Sequence, residues 1–321
     1  MLTYVTRRVL LAIPILILAS VLVFAIVRAT TDPTARFSQS RDQGLIERET
    51  KRLGLDKPLP AQYITWATGF VKGDWGESFV SRRSVSDEIR GRLWNTIQLI
   101  LWGIFLSALV AVAVGVYSAA QQYSALDYSF TGLSFMGLAM PPFFFALLAI
   151  DVLVFRPRGW FKLDDPLLYS VGIRSSAGSG MLDYVRHLAL PVMTLSVQLV
   201  AGWSRYQRSS MLDVMSADYI RTARAKGVPR GKVLIKHGLR NALIPLTTVM
   251  AIDIGLLFGG LIVTETIFSW PGMGQLFVNS LLAGDTNILL PWLMVTAAFV
   301  LLFNLFADLL YGVLDPRIRL S

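Results

Sequence analysis

The sequence predicts an all-α integral membrane protein: six transmembrane helices, a long extracytoplasmic loop and a short cytoplasmic helix at a corner. Three observations carry this. Of 321 residues, 54% are hydrophobic and 16% charged, and the mean hydropathy is +0.55, well outside the range of soluble domains. The stretches Val9 to Val27 and Thr96 to Tyr117 contain no Asp, Glu, Lys or Arg. Arg28 to Arg92, by contrast, carries 21 of the 51 charges, so apolar spans alternate with hydrated segments. Zero Cys and two His exclude disulfides, Cys nucleophiles and thiolate metal sites and leave little for a histidine cage. The net charge of +9 reads as membrane topology and lipid contact rather than nucleic-acid binding.

A helix rising about 1.5 Å per residue needs about 20 apolar residues to cross a hydrocarbon core of roughly 30 Å. Six windows qualify: Val9 to Val27, Thr96 to Tyr117, Tyr128 to Phe155, Leu188 to Trp203, Leu243 to Phe268 and Ile288 to Leu314. The fourth is short, but Trp203, Tyr206, Arg205 and Arg208 at its end read as an aromatic belt and charged anchor. The first follows Arg7 and Arg8 like a signal peptide. Its run is too long for an h-region and no small-x-small cleavage site follows, so it reads as a retained span.

Orientation follows from Lys and Arg in the short loops. Ser204 to Ala242 holds nine, the N-terminal tail two and the segment after Leu314 two. Arg156 to His187 holds five and Ser269 to Asn287 none. The organisation expected is a cytoplasmic tail over 1–8, a first helix over 9–27, an extracytoplasmic loop over 28–92, a five-helix core over 93–314 enclosing the cytoplasmic loop 204–242, and a cytoplasmic tail over 315–321.

Breakers and polar residues mark where the spans bend or touch. Pro141 and Pro142 remove two backbone donors and predict a kink in the third span. Gly255 and Gly259 form a G-x-x-x-G face that suits close helix packing, within the bundle or across a dimer seam. Four carboxylates lie inside spans, each costing about 2.5 to 3.5 kcal/mol at a helix centre on insertion scales. Asp253 is nearest a centre, where it either lines a path and attracts an amine or bonds a neighbouring helix. Asp151 and Glu265 lie near outer ends, where solvation makes them cheap; the alternative for Glu265 is that it shapes the Pro271 to Gly274 turn. Asp308, one turn from Asn304, reads as an interhelical partner.

In the long loop, Gly44 to Lys57 is consistent with a short helix ended near Gly54, with Leu45, Ile46, Leu53 and Leu55 as its apolar positions. Gln62 to Lys72 places Tyr63, Ile64, Trp66, Ala67 and Phe70 on one helical face, either at the outer interface or as a docking surface. In the cytoplasmic loop, Leu212, Met215, Tyr219 and Ala223 recur at helical spacing, Arg221, Arg224 and Lys226 lie off that stripe, and Gly227 followed by Pro229 stops the helix. A second short helix over about Arg230 to Asn241 carries Lys232, Lys236 and Arg240 as a basic row. This hairpin suits lipid headgroups, while the small residues Thr222, Ala223, Ala225 and Gly227 suit entry into a groove on a cytoplasmic protein.

These residues resemble a family. Asp218-Tyr219-Ile220-Arg221-Thr222-Ala223-Arg224-Ala225-Lys226-Gly227 is similar to the coupling motif of ABC importer permeases, E-A-A, three residues, G, with Arg221-Thr222-Ala223 in place of E-A-A. The distal I-x-L-P keeps only its Leu in His237-Gly238-Leu239-Arg240. The continuation Asn241-Ala242-Leu243-Ile244-Pro245 resembles the dipeptide and oligopeptide branch. Leu53 to Pro58, Gln62-Tyr63, Gly73-Asp74-Trp75-Gly76, Glu265 to Gly274 and Asp308 to Arg317 resemble the B-type permease of that branch, so the likeness covers nearly the whole chain.

The resemblance implies a permease subunit in a bacterial or archaeal cytoplasmic membrane. It would pair with a second homologous permease, two cytoplasmic ATPases that bind ATP and Mg, and an extracytoplasmic substrate-binding protein. It implies alternating access and ATPase coupling through Asp218, Tyr219, Arg221, Thr222, Ala223, Arg224, Ala225, Lys226 and Gly227; the carboxylates inside the spans make Asp253 and Glu265 the candidate substrate-path residues. The ligand implied is a peptide, oligopeptides ahead of dipeptides, glutathione or nickel complexes. No cofactor, catalytic residue, metal or nucleic acid is expected for this chain itself, and the sequence contains no G-x-x-x-x-G-K-[ST] phosphate loop. An intramembrane aspartyl protease fits poorly, because Asp253 and Asp308 lack the G-x-G-D and Y-D contexts. An ion-coupled transporter would leave the corner unexplained.

Overall fold

The computed structural model describes residues 2–30, 48, 50–51, 54–162, 164–175 and 180–314. Leu45, Ile46 and Leu53 of the expected loop helix, and everything after 314, lie outside the described residues. The elements among the described residues are helices: α1 (Leu2–Thr30), α2 (Leu59–Lys72), α3 (Val85–Ala120), α4 (Ala125–Ala139), α5 (Pro142–Trp160), α6 (Met181–Ser216), α7 (Asp218–Ala225), α8 (Arg240–Gly260), α9 (Ile262–Ile267), α10 (Met273–Leu282) and α11 (Thr286–Leu314). Arg230–Lys232 and a wide-turned segment, Val233–Leu239, prolong α8 at its N-terminal end without interruption. Among the described residues, five helices are long and apolar enough to cross a membrane. The bent pair α4 and α5, counted as one broken span, makes a sixth by length and composition.

Several helices run past the apolar windows that mark them. Backbone bonding inside a helix continues into water wherever no breaker intervenes, so α3 begins eleven residues before Thr96 and α6 reaches from Met181 to Ser216. The breakers act where they stand. At Pro141 and Pro142 the axis turns by 107° between α4 and α5, and the amide of Gln198 donates to the carbonyl of Met140 that the break leaves free (3.4 Å). The fifth window does not form one helix. It ends at Gly260 and resumes after Leu261 as α9.

α6 is the hub, packing against α3, α4, α5 and α8. Small residues set its closest approach to α3: a Cβ added at Gly115 would lie 2.6 Å from Cβ of Gln207 and 2.9 Å from the carbonyl of Ser204. In an apolar solvent such contact replaces the hydrophobic effect as the attraction between helices. α8 meets α11 the same way at Gly255, where an added Cβ would fall 2.9 Å from Asn304 Oδ1. Close packing within the bundle therefore accounts for Gly255. α1 lies along α11, with Phe24 and Val27 against Leu290 and Arg8 paired to Asp308 at 2.8 Å. Its remaining face, Leu10, Leu18 and Ile26 among others, is exposed, as suits a helix surrounded by lipid tails.

α2 does not lie free at an interface. Tyr63 and Trp66 pack on Phe24 of α1, the Tyr63 hydroxyl bonds Ser20 at 2.8 Å, and Phe70 stacks on Trp75. Ile64 remains exposed.

Candidate functional site

Two regions gather the residues singled out by sequence. The first is the corner after α6. Ala217 adopts an extended conformation, its carbonyl accepts from Ile220 and Arg221 N–H, and α7 starts there in a new direction. That break resets the helical phase, so Leu212, Met215, Tyr219 and Ala223 do not share one face. The buried side of α7 is Ile220 and Ala223, seated on Val233, Val214, Met215 and Val228, whereas Tyr219 is exposed and accepts a hydrogen bond from the Asn241 amide (2.9 Å). Asp218 lies in the first turn and Arg224 in the last, the arrangement that the helix dipole favours.

α7 ends in a left-handed turn. Gly227 has φ +74°, its N–H donates to the Arg224 carbonyl (2.9 Å), and Val228 N–H reaches back to Ala223 (3.2 Å). Among the described residues, no heavy atom beyond its chain neighbours lies within 4 Å of where a Gly227 Cβ would sit. Arg221, Thr222, Arg224, Ala225, Lys226 and Gly227 all face outward. The corner thus offers a cationic surface with small residues between the charges, on a buried apolar seat. The expected second helix does not stop at Asn241. It runs on into α8, with Lys232, Lys236 and Arg240 exposed.

The second region is a cleft of about 390 Å³ between α6, α8 and the α4–α5 break. Asp253 lines it, accepting from the Trp203 indole N–H at 2.6 Å. Thr194, Gln198 and Thr264 supply the other polar lining, and the Thr194 hydroxyl is buried without a hydrogen-bond partner among the described residues. Trp203 is therefore no belt residue. It is 1% exposed and holds a carboxylate.

Of the positions the sequence left open for Glu265, a path residue, a solvated outer end or a brace for the Pro271 to Gly274 turn, its contacts are those of the brace. Its side chain is 0% exposed and does not line the cleft. Its carboxylate accepts from Thr96 Oγ1 (2.6 Å), Gly274 N–H (2.6 Å) and Gln275 N–H (3.2 Å). It thereby caps the N-terminus of α10, whose orphan donors offset the cost of burying it. Asn95 and Trp270 complete the knot, donating to the carbonyls of Pro271 and Asn95. Asp151 pairs with Arg156 at 2.9 Å, about half exposed.

Two buried carboxylates escaped the sequence reading. Asp127, 2% exposed, holds Arg208 through two 2.8 Å bonds, so Arg208 points into the protein rather than anchoring at an interface. Ser124, three residues earlier, caps α4 by accepting from Asp127 N–H, and this Ser-x-x-Asp spacing was the available signal. Asp285, 0% exposed, accepts from Ser78 Oγ (2.7 Å) and the N–H groups of Phe79 and Val80, pinning the segment before α3 to the α10–α11 turn. Among the described residues no three His, Cys, Asp or Glu side chains gather as a metal ion would require.

A bundle of membrane-length helices with a cleft and an exposed corner helix is compatible with a membrane permease, and comparison with known proteins gives the family. The family described as "Binding-protein-dependent transport system inner membrane component" matches residues 111–320, and the corresponding N-terminal family matches residues 1–100. The chain belongs to this family. It is 41% identical to the oligopeptide transport system permease protein AppB of Bacillus subtilis (strain 168), over 99% of this chain and 100% of that protein. It is 36% identical to the oligopeptide transport system permease protein OppB of Mycobacterium tuberculosis (strain ATCC 25618 / H37Rv), over 99% of both. The glutathione transport system permease protein GsiC of Salmonella paratyphi A is 37% identical, again over 99% of both chains. The protein is thus a multi-pass membrane permease subunit of an importer complex rather than its ATPase.

Proposed function

We propose that this chain forms half of the membrane path of an ATP-driven peptide importer, with oligopeptides as the main cargo. It pairs with a second homologous permease, two cytoplasmic ATPases that carry ATP and Mg, and an extracytoplasmic binding protein. The names of its relatives support the cargo: two are oligopeptide permeases and one a glutathione permease. The observation that carries the mechanism is the corner. α7 is seated rigidly through Ile220 and Ala223 yet presents Arg221, Thr222, Arg224, Ala225, Lys226 and Gly227 to the outside, as a lever needs if an ATPase is to push on the bundle. Its loop carries nine Lys and Arg, which supports a cytoplasmic position, and Val233 beneath it leads straight into α8.

α8 carries Asp253, so a displacement of the corner reaches the cleft along one element. There Asp253 attracts the peptide amine, and Leu138, Leu199 and Leu256 accept apolar side chains. Reconstitution into proteoliposomes tests this reading. Uptake of a labelled oligopeptide should require ATP inside and the co-purified ATPases, with shorter peptides and glutathione as competitors that rank the cargo. Uptake driven by an ion gradient without ATP would reject it.

A further inference from the structure

A second concavity lies on the opposite flank of α6. It is an apolar groove of about 480 Å³ between α3, α4 and α6, lined by residues that include Leu106, Val110, Leu133, Met136, Met140 and Val200. At one end it opens into a shallow polar notch formed by Ser118, Thr131, Ser204, Arg205 and Arg208. Val114, Phe130 and Ser134 line both, so groove and notch are continuous.

The two arginines of the notch differ. Arg208 is neutralised by Asp127. Arg205 is exposed, lies over the Phe135 ring at 4.4 Å and has no carboxylate partner among the described residues. Stacking holds the guanidinium plane in place while leaving its edge donors free, the geometry in which arginine binds phosphate. The notch therefore carries one positive charge that no described carboxylate compensates, beside Thr131 at the mouth of an apolar groove.

Length identifies the occupant. Along α6 the groove runs from Met193 to Arg205, about 18 Å at 1.5 Å per residue. A transmembrane helix of a neighbour spans roughly 30 Å of hydrocarbon, whereas one leaflet supplies about half of that, which matches the length of the groove. We propose that groove and notch together bind one anionic phospholipid, with an acyl chain along α6 beside the α4–α5 break and the phosphate over Arg205. The lipid fills the flank of the bundle where Pro141 and Pro142 interrupt helix packing.

The test uses the whole complex in nanodiscs of phosphatidylcholine containing a minor fraction of phosphatidylglycerol, followed by gentle extraction and native mass spectrometry. The wild type should retain phosphatidylglycerol in preference to phosphatidylcholine. Arg205→Gln should lower that preference about tenfold, the loss of one charge-assisted contact, and Arg205→Lys should keep most of it. Val110→Trp, which fills the groove from its rim, should lower retention of both lipids. Equal retention of the two lipids by the wild type would overturn the proposal, as would an Arg205→Gln complex that keeps the preference. Displacement of the lipid by inorganic phosphate alone would show an anion notch without a chain site and would also overturn it. So would a disulfide from Leu133→Cys to a cysteine on a neighbouring subunit, because the occupant would then be protein.

Discussion

At the scale of single residues, buried carboxylates decide how this protein holds together, and each is matched to donors by geometry. Glu265 takes three, two of them backbone N–H groups at the start of α10. Glu265→Gln presents an amide N–H₂ to one of the donor sets. Its expected cost is about 1 to 3 kcal/mol, read as a lower unfolding temperature of the purified permease. Gly272→Ala should destabilise through the same knot, because its Cβ would sit 2.3 Å from Glu265 Oε1. Equal unfolding temperatures for wild type and both variants would remove Glu265 from this role. For Asp253, Asn keeps an acceptor for Trp203 and removes only the charge, while Leu leaves the indole N–H unpaired at a similar cost. If the carboxylate attracts peptide amines, Asp253→Asn should impair uptake of cationic peptides at unchanged stability. Unchanged uptake would confine Asp253 to bonding Trp203.

At the scale of elements, what the sequence made legible depended on whether the signal was local. The turn at Gly227 was readable, because a Gly before Val228-Pro229 ends a helix by left-handed capping, and φ +74° is what that spacing requires. The 107° bend was readable from two prolines. The face of α7 was not, because Ala217 carries no breaker signal and its extended backbone shifts the phase that periodicity assumes. Trp203, Arg208 and Asp285 were missed or misplaced for another reason: their partners lie 50, 81 and about 205 positions away, beyond any local pattern. The seat of α7 supports a direct test. Ile220 is 0% exposed, so Ile220→Ala should cost about 2 to 5 kcal/mol of local packing. ATP-driven uptake should fall while the permease stays membrane-inserted, measured by transport beside membrane fractionation. Full transport by that variant would show that the corner need not be rigid.

At the scale of the whole molecule, α6 joins the parts, with the Asp253 cleft on one flank and the apolar groove on the other, and its C-terminal end leads into the corner. The charge distribution predicts opposite sides of the membrane for α2 and α7. The sequence has no Cys, so single substitutions report cleanly. Trp66→Cys should react with an impermeant maleimide added outside and Arg224→Cys only after permeabilisation; the reverse pattern would invert the topology. The central claim, that the corner transmits ATPase motion to the path, rests most directly on Gly227. Among the described residues nothing beyond its chain neighbours reaches its Cβ position, so a side chain there meets only the cost of a positive φ and whatever docks against α7. The decisive measurement is ATP-dependent oligopeptide uptake by proteoliposomes containing Gly227→Asp, beside the unfolding temperature of the permease and the amount of ATPase that co-purifies. The expected result is a folded permease that has lost uptake and holds its ATPases weakly; wild-type uptake by a complex carrying Gly227→Asp would contradict it.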